Sequence, residues 1–329
     1  MWTVAPEQIW KKPRQPGISG FMRLRNEAEF VDRAIASHID AVDELAIVCN
    51  DCTDEAPEIC ARWQRRYPEK ITVAEYAPSI VQWGTPESLS IDPCSPHSLA
   101  NYYNFALART NRHIVIKVDG DHLAMSPRFQ RICNRVRRDL RPDQRYPIYG
   151  LNLTCDNGEI VVYNYYNYSP HPTGNLTQKP GPPPFTGGDH TFYYVDRTSF
   201  HKADPVEGFE YIDLSGKRRF PSAHLTYCFL HVKGMKADRG TGNWVQDGTG
   251  QRNQRSRWIG QVFAPDPSCL APVEAMRRHN PMYFRGARIY AELAATFPDV
   301  PVRQPAGTDL PALSLRERLA DLWYRWGCP

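Results

Sequence analysis

No run of about 18 to 20 apolar residues, the length that crosses a bilayer, occurs in the sequence; the best candidate, Leu225 to Val232, is only as long as a strand. The chain is therefore not expected to span a membrane. Met1 to Pro16 is not expected to act as a secretory signal, because it carries Pro6, Glu7, Lys11, Lys12 and Pro13 and no continuous apolar stretch. Without export, the sequons at Asn152, Asn167 and Asn175 are chance tripeptides. The nine cysteines are an odd number and include one Cys49-Asn50-Asp51-Cys52 without a second such pair. That argues against a structural zinc site and for reduced thiols in a cytoplasmic protein. Net charge is small: 40 Lys+Arg against 36 Asp+Glu leaves +4, which gives no argument for nucleic acid. There is no internal repeat. What is present, 329 residues with 41% hydrophobic and 23% charged, suits one large or two ordinary globular domains.

The first half alternates apolar runs with amphipathic stretches, the pattern of βα units feeding a mostly parallel sheet. Strands are predicted over Ile18 to Leu24, Leu45 to Val48, Ile71 to Tyr76 and His113 to Val118. Between them, one helix opens at Asn26-Glu27 with Phe30, Val31, Ala34 and Ile35 on one face. Others run over Asp54 to Tyr67, with Ile59, Cys60 and Trp63 inward, and over Ser98 to Ala108. Arg128 to Arg141 is amphipathic, and seven arginines fall between Arg128 and Arg145. They form either a solvated face or a surface for anionic lipid or phosphate. After it the period shifts towards two, and Gly150 to Thr154, Ile160 to Tyr166 and Thr191 to Val195 read as strands of a mixed α+β half.

Ser169 to Gly188 holds six prolines and four glycines and can be neither helix nor central strand. Such long loops are often functional. A second glycine-rich segment, Gly234 to Gly250, carries Lys236, Arg239 and Trp244. At the end, Leu315, Leu319, Leu322, Trp323 and Trp326 share a helical face beside arginines, which suits either packing on the core or an interfacial helix. The boundaries expected are an extension over 1–17, a nucleotide-binding half over 18–125, an acceptor half over 126–265 and a helical segment over 266–329.

Chemistry concentrates at Val118-Asp119-Gly120-Asp121, two carboxylates one residue apart directly after a buried strand. Open α/β sheets bind ligands at that edge, and the glycine lets backbone crowd around a small polar group. Oxygen ligands of this type suit Mg2+ or Mn2+, which are usually completed by substrate phosphates. A turn that merely uses Asp and Gly is the alternative.

The runs Ile18-Ser-Gly-Phe-Met-Arg-Leu-Arg-Asn-Glu-Ala28, Asp43 to Asp54, Asn101 to Ala108 and Ile114 to Asp121 together resemble a GT-A fold glycosyltransferase of the family 2 type. Cys52 stands where that family usually has a small Ser, and Asn50 where an Asp is common. The resemblance implies a mostly parallel nucleotide-binding sheet flanked by helices, with a mixed acceptor half. It implies that Arg25, Glu27, Asp54 and Asn104 border the nucleotide, although Glu27 and Asp54 equally suit helix caps. It implies that Asp119 and Asp121 hold Mn2+ or Mg2+ on a sugar-nucleotide diphosphate, with His231, after the apolar run Thr226 to Leu230, as a further metal ligand. Lys236 and Arg239 would close over the diphosphate. Glu210, Asp213 and Asp189 compete for the base that deprotonates the acceptor. The expected partners are a nucleotide-diphosphate sugar and a glycan, polysaccharide or lipid-linked saccharide, with peripheral contact to an anionic membrane; the Tyr163 to Tyr168 stretch suits either stacking of an acceptor sugar ring or an exposed sheet face. A sugar-phosphate nucleotidyltransferase and a non-catalytic binding protein on the same fold are the rivals; Gly17 to Glu27 lacks the basic glycine-rich loop of the first.

Overall fold

The computed structural model describes residues 2–81, 85–156, 158–166, 191–197, 201–203, 210–212, 217–219, 227–236 and 286–302. The chain forms two compact units, the first comprising 1–150, 165–224 and 228–232 and the second 151–164, 225–227 and 233–329.

In the first unit, a short helix α1 (Pro6–Trp10) precedes β1 (Gln15–Leu24), α2 (Ala28–His38), β2 (Glu44–Cys49), α3 (Ala56–Arg66) and β3 (Ile71–Glu75). There follow α4 (Pro86–Ser90), α5 (Leu99–Leu107), β4 (Arg112–Lys117), β5 (His122–Ala124), α6 (Ser126–Asp139) and β6 (Gln144–Pro147). The remaining strands, divided between the two units, are β7 (Tyr149–Asp156), β8 (Glu159–Tyr166), β9 (Thr191–Tyr194), β10 (His201–Ala203), β11 (Glu210–Ile212), β12 (Arg218–Arg219) and β13 (Tyr227–Gly234). A seven-stranded sheet runs in the order β12-β6-β9-β4-β1-β2-β3. β1 is parallel to both β2 and β4, and β2 to β3, whereas β9 runs antiparallel to β4 and β6. The mostly parallel sheet read from the sequence is present. It also extends past residue 125, because β9, β6 and β12 continue it.

The central strands read as unbroken apolar runs because both faces of the sheet are covered. Side chains alternate between the faces. One set, Phe21, Ala46, Val48, Val115 and Tyr193, packs with Tyr102, Tyr103, Phe105 and Ala106 of α5. On the other face α6 packs on β1, and α3 on β2 and β3. α2 buries Phe30, Val31, Ala34 and Ile35 as its spacing predicts.

Two local details differ from the sequence reading. Trp63 was expected inward on α3, yet it is only partly buried: its indole stacks on Tyr67 at 5.6 Å and its Nε1 donates to Asp32 at 2.8 Å. A large ring with one polar atom fits best at such a rim. The arginine-rich face of α6 also does structural work, because Arg137 bonds Asp43 at 2.9 Å and the Ala41 carbonyl, while Arg135 and Arg138 reach Asp139.

In the second unit β7 and β8 are hydrogen-bonded neighbours, joined through Gly158 at φ +79°, a left-handed value that favours glycine. Ile160 bridges Val302, donating its amide to Pro301 at 2.8 Å, just after α7 (Gly286–Thr296), which buries Leu293. Among the described residues no helix is long and apolar enough to cross a membrane. The segments 169–188, 237–250 and 303–329 lie outside the described residues, and with them the proline-rich loop, most of the second glycine-rich segment and the terminal Trp/Arg face.

Candidate functional site

The chain adds β2 and β3 on one side of β1 and then returns to place β4 on the other. The order reverses between β1 and β4, and the carboxyl ends of strands at such a reversal are where open sheets take ligands. The loop that carries Asp119, Gly120 and Asp121 leaves β4 at this point. Gly120 is required there: a Cβ would sit 2.7 Å from Leu24 Cδ2 and 2.9 Å from Glu27 Cβ. The missing side chain is what lets the β1–α2 loop, with Glu27, lie directly against the acidic turn.

The β1–α2 and β2–α3 loops are tied to each other as well. Asp54 accepts the Ala28 amide on Oδ2 at 2.7 Å and the Ala56 amide on Oδ1 at 3.1 Å, so one carboxylate caps the starts of α2 and α3 together. Asn26, at φ +55°, accepts the Thr53 amide at 2.7 Å. Asn50 donates its amide to the carbonyls of Tyr76 and Pro78 at 2.7 and 2.9 Å, a pair of bonds an aspartate has no hydrogens to make. Cys52 donates weakly to the Leu24 carbonyl at 3.6 Å, and its thiol is pushed well up by its hydrogen bond to Cys49 and by burial. The two departures at 50 and 52 thus serve the loop's own bonding.

The two carboxylates of the turn go separate ways. Asp119 Oδ2 pairs with Lys117 Nζ at 2.8 Å, where the lysine side chain is 2% exposed and the aspartate 26%. Lys117 lies 5.5 Å from the Tyr103 ring, over which the Arg23 guanidinium stacks at 3.3 Å. Asp121 faces two imidazoles, one of which, His122, also places its Nδ1 3.8 Å from Asp119 Oδ2. Asp121 Oδ1 is 3.8 Å from His122 Nε2 and 3.7 Å from His231 Nε2, and the two rings meet edge to face at 4.4 Å. The His231 contact follows from strand pairing: β13 runs antiparallel to β5 with His231 opposite His122, and Val232 donates its amide to the Asp121 carbonyl at 2.9 Å.

The donor atoms of Asp121, His122 and His231 all lie within 4.8 Å of one another. A carboxylate with imidazole nitrogens fits a divalent transition ion, and Mn2+ better than Mg2+. Of the three metal ligands expected, Asp121 and His231 come together, while Asp119 is turned to Lys117. His122 was missed. Its signal was its place beside Asp121 at the start of a short strand.

Of the nucleotide residues expected, Arg25 is exposed directly after β1, Glu27 abuts Gly120, Asp54 is engaged in its double cap, and Asn104 is buried on α5. Lys236 belongs to the second unit, where it is buried rather than set on an open loop. Glu210 begins β11, opposite Ala203 of β10. Asp189, Asp213 and Arg239 lie outside the described residues.

Residues 7–135 match the family described as Beta-1,4-N-acetylgalactosaminyltransferase (CgtA). No curated protein matches the chain. Among solved structures, TarS of S. aureus in complex with UDP is 17% identical over 44% of this chain and 37% of its own, with a TM-score of 0.30. The glucosyl-3-phosphoglycerate synthase from Mycobacterium tuberculosis, in complex with Mn2+, UDP and phosphoglyceric acid, is 22% identical over 40% of this chain and 42% of its own, with a TM-score of 0.27. The matched part thus spans less than half the length of either protein. Over residues 7–135 the chain is similar to a GT-A-type glycosyltransferase, and there the resemblance carried by the sequence motifs is borne out.

Proposed function

We propose that this protein transfers a sugar from a nucleoside-diphosphate donor to a hydroxyl of a saccharide acceptor, with a divalent ion held by Asp121 and His231. The observation that supports it most directly is the Asp121–His231 pair at the carboxyl edge of the sheet, beside the point where strand order reverses. The family match adds the sugar class, so UDP-N-acetylgalactosamine is the first donor to try. When bound, Mn2+ or Mg2+ would offset the charge that grows on the leaving diphosphate.

The chain's own residues supply the rest. Asp121 and His231 would hold the ion, and Lys117 keeps Asp119 fixed beside it so that the turn presents one carboxylate rather than two. Arg25 and Glu27 follow β1 at the carboxyl edge of the sheet. A carboxylate on the opposite side of the sugar from the diphosphate takes the acceptor proton, giving inversion by direct displacement. Glu210, Asp213 and Asp189 remain the candidates for it. The acceptor we propose is a glycan, polysaccharide or lipid-linked saccharide met in the cytoplasm, with peripheral contact to an anionic membrane.

The test is release of nucleoside diphosphate from UDP-N-acetylgalactosamine and related donors, with Mn2+, with and without saccharide acceptors. Acceptor-stimulated, Mn2+-dependent release supports the proposal. Binding of donors with no turnover under any of these conditions would instead make the protein a nucleotide-binding relative.

A further inference from the structure

We infer that His122 is a positioning residue for Asp121 rather than a third metal ligand, so that the protein offers the ion one carboxylate and one imidazole. This rests on the metal-dependent reading above and deepens it.

The argument starts from the tautomer. Nδ1 of His122 accepts the backbone amide of Asp119 at 3.2 Å. A neutral imidazole has one protonated and one lone-pair nitrogen. With the Nδ1 lone pair engaged by an N–H, the ring proton sits on Nε2, the atom that faces Asp121 Oδ1 at 3.8 Å. A nitrogen that carries hydrogen has no in-plane lone pair for a metal, but it is a donor for a carboxylate. A rotation that shortens the gap by about 1 Å makes that hydrogen bond.

Burial points the same way. The His122 side chain is 0% exposed, with the Phe229 ring 5.2 Å from its own, whereas His231 keeps 12% exposure. The imidazole that can meet an ion entering from solvent is His231. Two protein ligands leave most of the coordination sphere to diphosphate oxygens and water, as is usual for Mg2+ and Mn2+ sites completed by substrate.

His122 therefore links the two carboxylates of the turn: it reads the backbone at Asp119 through Nδ1 and sets the Asp121 carboxylate through Nε2. Orienting groups of this kind, behind the ligands themselves, typically change metal affinity about 10- to 100-fold when removed.

The experiment uses the full chain with Mn2+ and UDP, reading Mn2+ affinity by electron paramagnetic resonance and counting coordinated imidazole nitrogens by the pulsed method. The expected count is one in the wild type, one in His122→Gln and none in His231→Ala. His122→Ala weakens Mn2+ about 10- to 100-fold, and His122→Gln, whose amide can still donate to Asp121, recovers most of that loss. Two coordinated nitrogens in the wild type would overturn the inference, and that count needs no variant to fold. An unchanged Mn2+ affinity in His122→Ala would overturn it too. A wild type that binds no Mn2+ with or without UDP would overturn the functional reading itself, and this inference with it.

Discussion

Asp119 and Asp121 are two residues apart, chemically the same and both near His122, yet the second partner of each is different. The Asp119 side belongs to the end of β4. It shares the face of Lys117, packed near Tyr103 and Arg23, and its charge is met by a buried ammonium. The Asp121 side belongs to the start of β5, where the paired strand β13 brings His231. Strand alternation puts residues 115, 117 and 119 on the α5 face, and the turn at Gly120 releases Asp121 from that pattern. An Asp-x-Asp motif is therefore not two equal ligands. What each carboxylate does is set by the element that it ends or begins.

The strongest way to break this comparison is to remove each carboxylate in turn. Asp121→Ala should lower Mn2+-dependent transfer by about 10³-fold, the scale of losing a group that stabilises developing charge. Asp119→Ala should change Mn2+ affinity by less than about tenfold. Equal losses of Mn2+ affinity in the two variants would erase the distinction.

Acid should act next, through the frame behind Asp121. His38 is buried against Phe129, and burial lowers its pKa to about 4 from an ordinary value of 6.5, only partly opposed by its bond to the Ala34 carbonyl. Its neighbour Ser37 accepts the Ala124 amide of β5 at 2.9 Å. Because the folded pKa lies below the unfolded one, the unfolded chain takes up the proton first. Stability is then full above about pH 6.5 and falls by about 3 kcal/mol as pH drops to about 4. Urea unfolding at pH 7.5, 5.5 and 4 measures this, and His38→Gln should flatten that part of the pH dependence.

On the other side, Lys117→Met leaves Asp119 without its 2.8 Å partner. It should cost about 1–3 kcal/mol of stability while leaving Mn2+ affinity within about threefold. A loss of metal binding as large as that of His231→Ala would place Asp119 back in the metal site. The smallest change is Gly120→Ala, which forces apart Leu24 and Glu27 for about 1–2 kcal/mol and should weaken nucleotide binding more than metal binding. Thermal unfolding with and without UDP separates the two effects.

Much of the parallel half was legible in the sequence. Buried strands such as Leu45 to Val48 and helices with a clear inward face, such as the one bearing Phe30, Val31, Ala34 and Ile35, are local patterns that tertiary contacts reinforce. The acidic turn was legible because it follows a strand, and His231 because it follows the apolar run Thr226 to Leu230. His122 was not, since its role comes from register with β13, far away in sequence. Lys117 reads as one more residue of the strand His113 to Val118 until its carboxylate partner is seen two positions on. Asp54 was legible as a cap, but not as a cap for two helices at once, which depends on how two loops meet. Asn50 and Cys52 looked like departures from a nucleotide site, whereas their bonds are made to the neighbouring backbone.

The most direct test of the central claim is calorimetric titration of UDP into the wild type and Asp121→Ala, each with and without Mn2+. The account predicts binding to the wild type that needs Mn2+ and disappears in Asp121→Ala. UDP binding of equal strength with and without Mn2+, unaffected by the substitution, would contradict it.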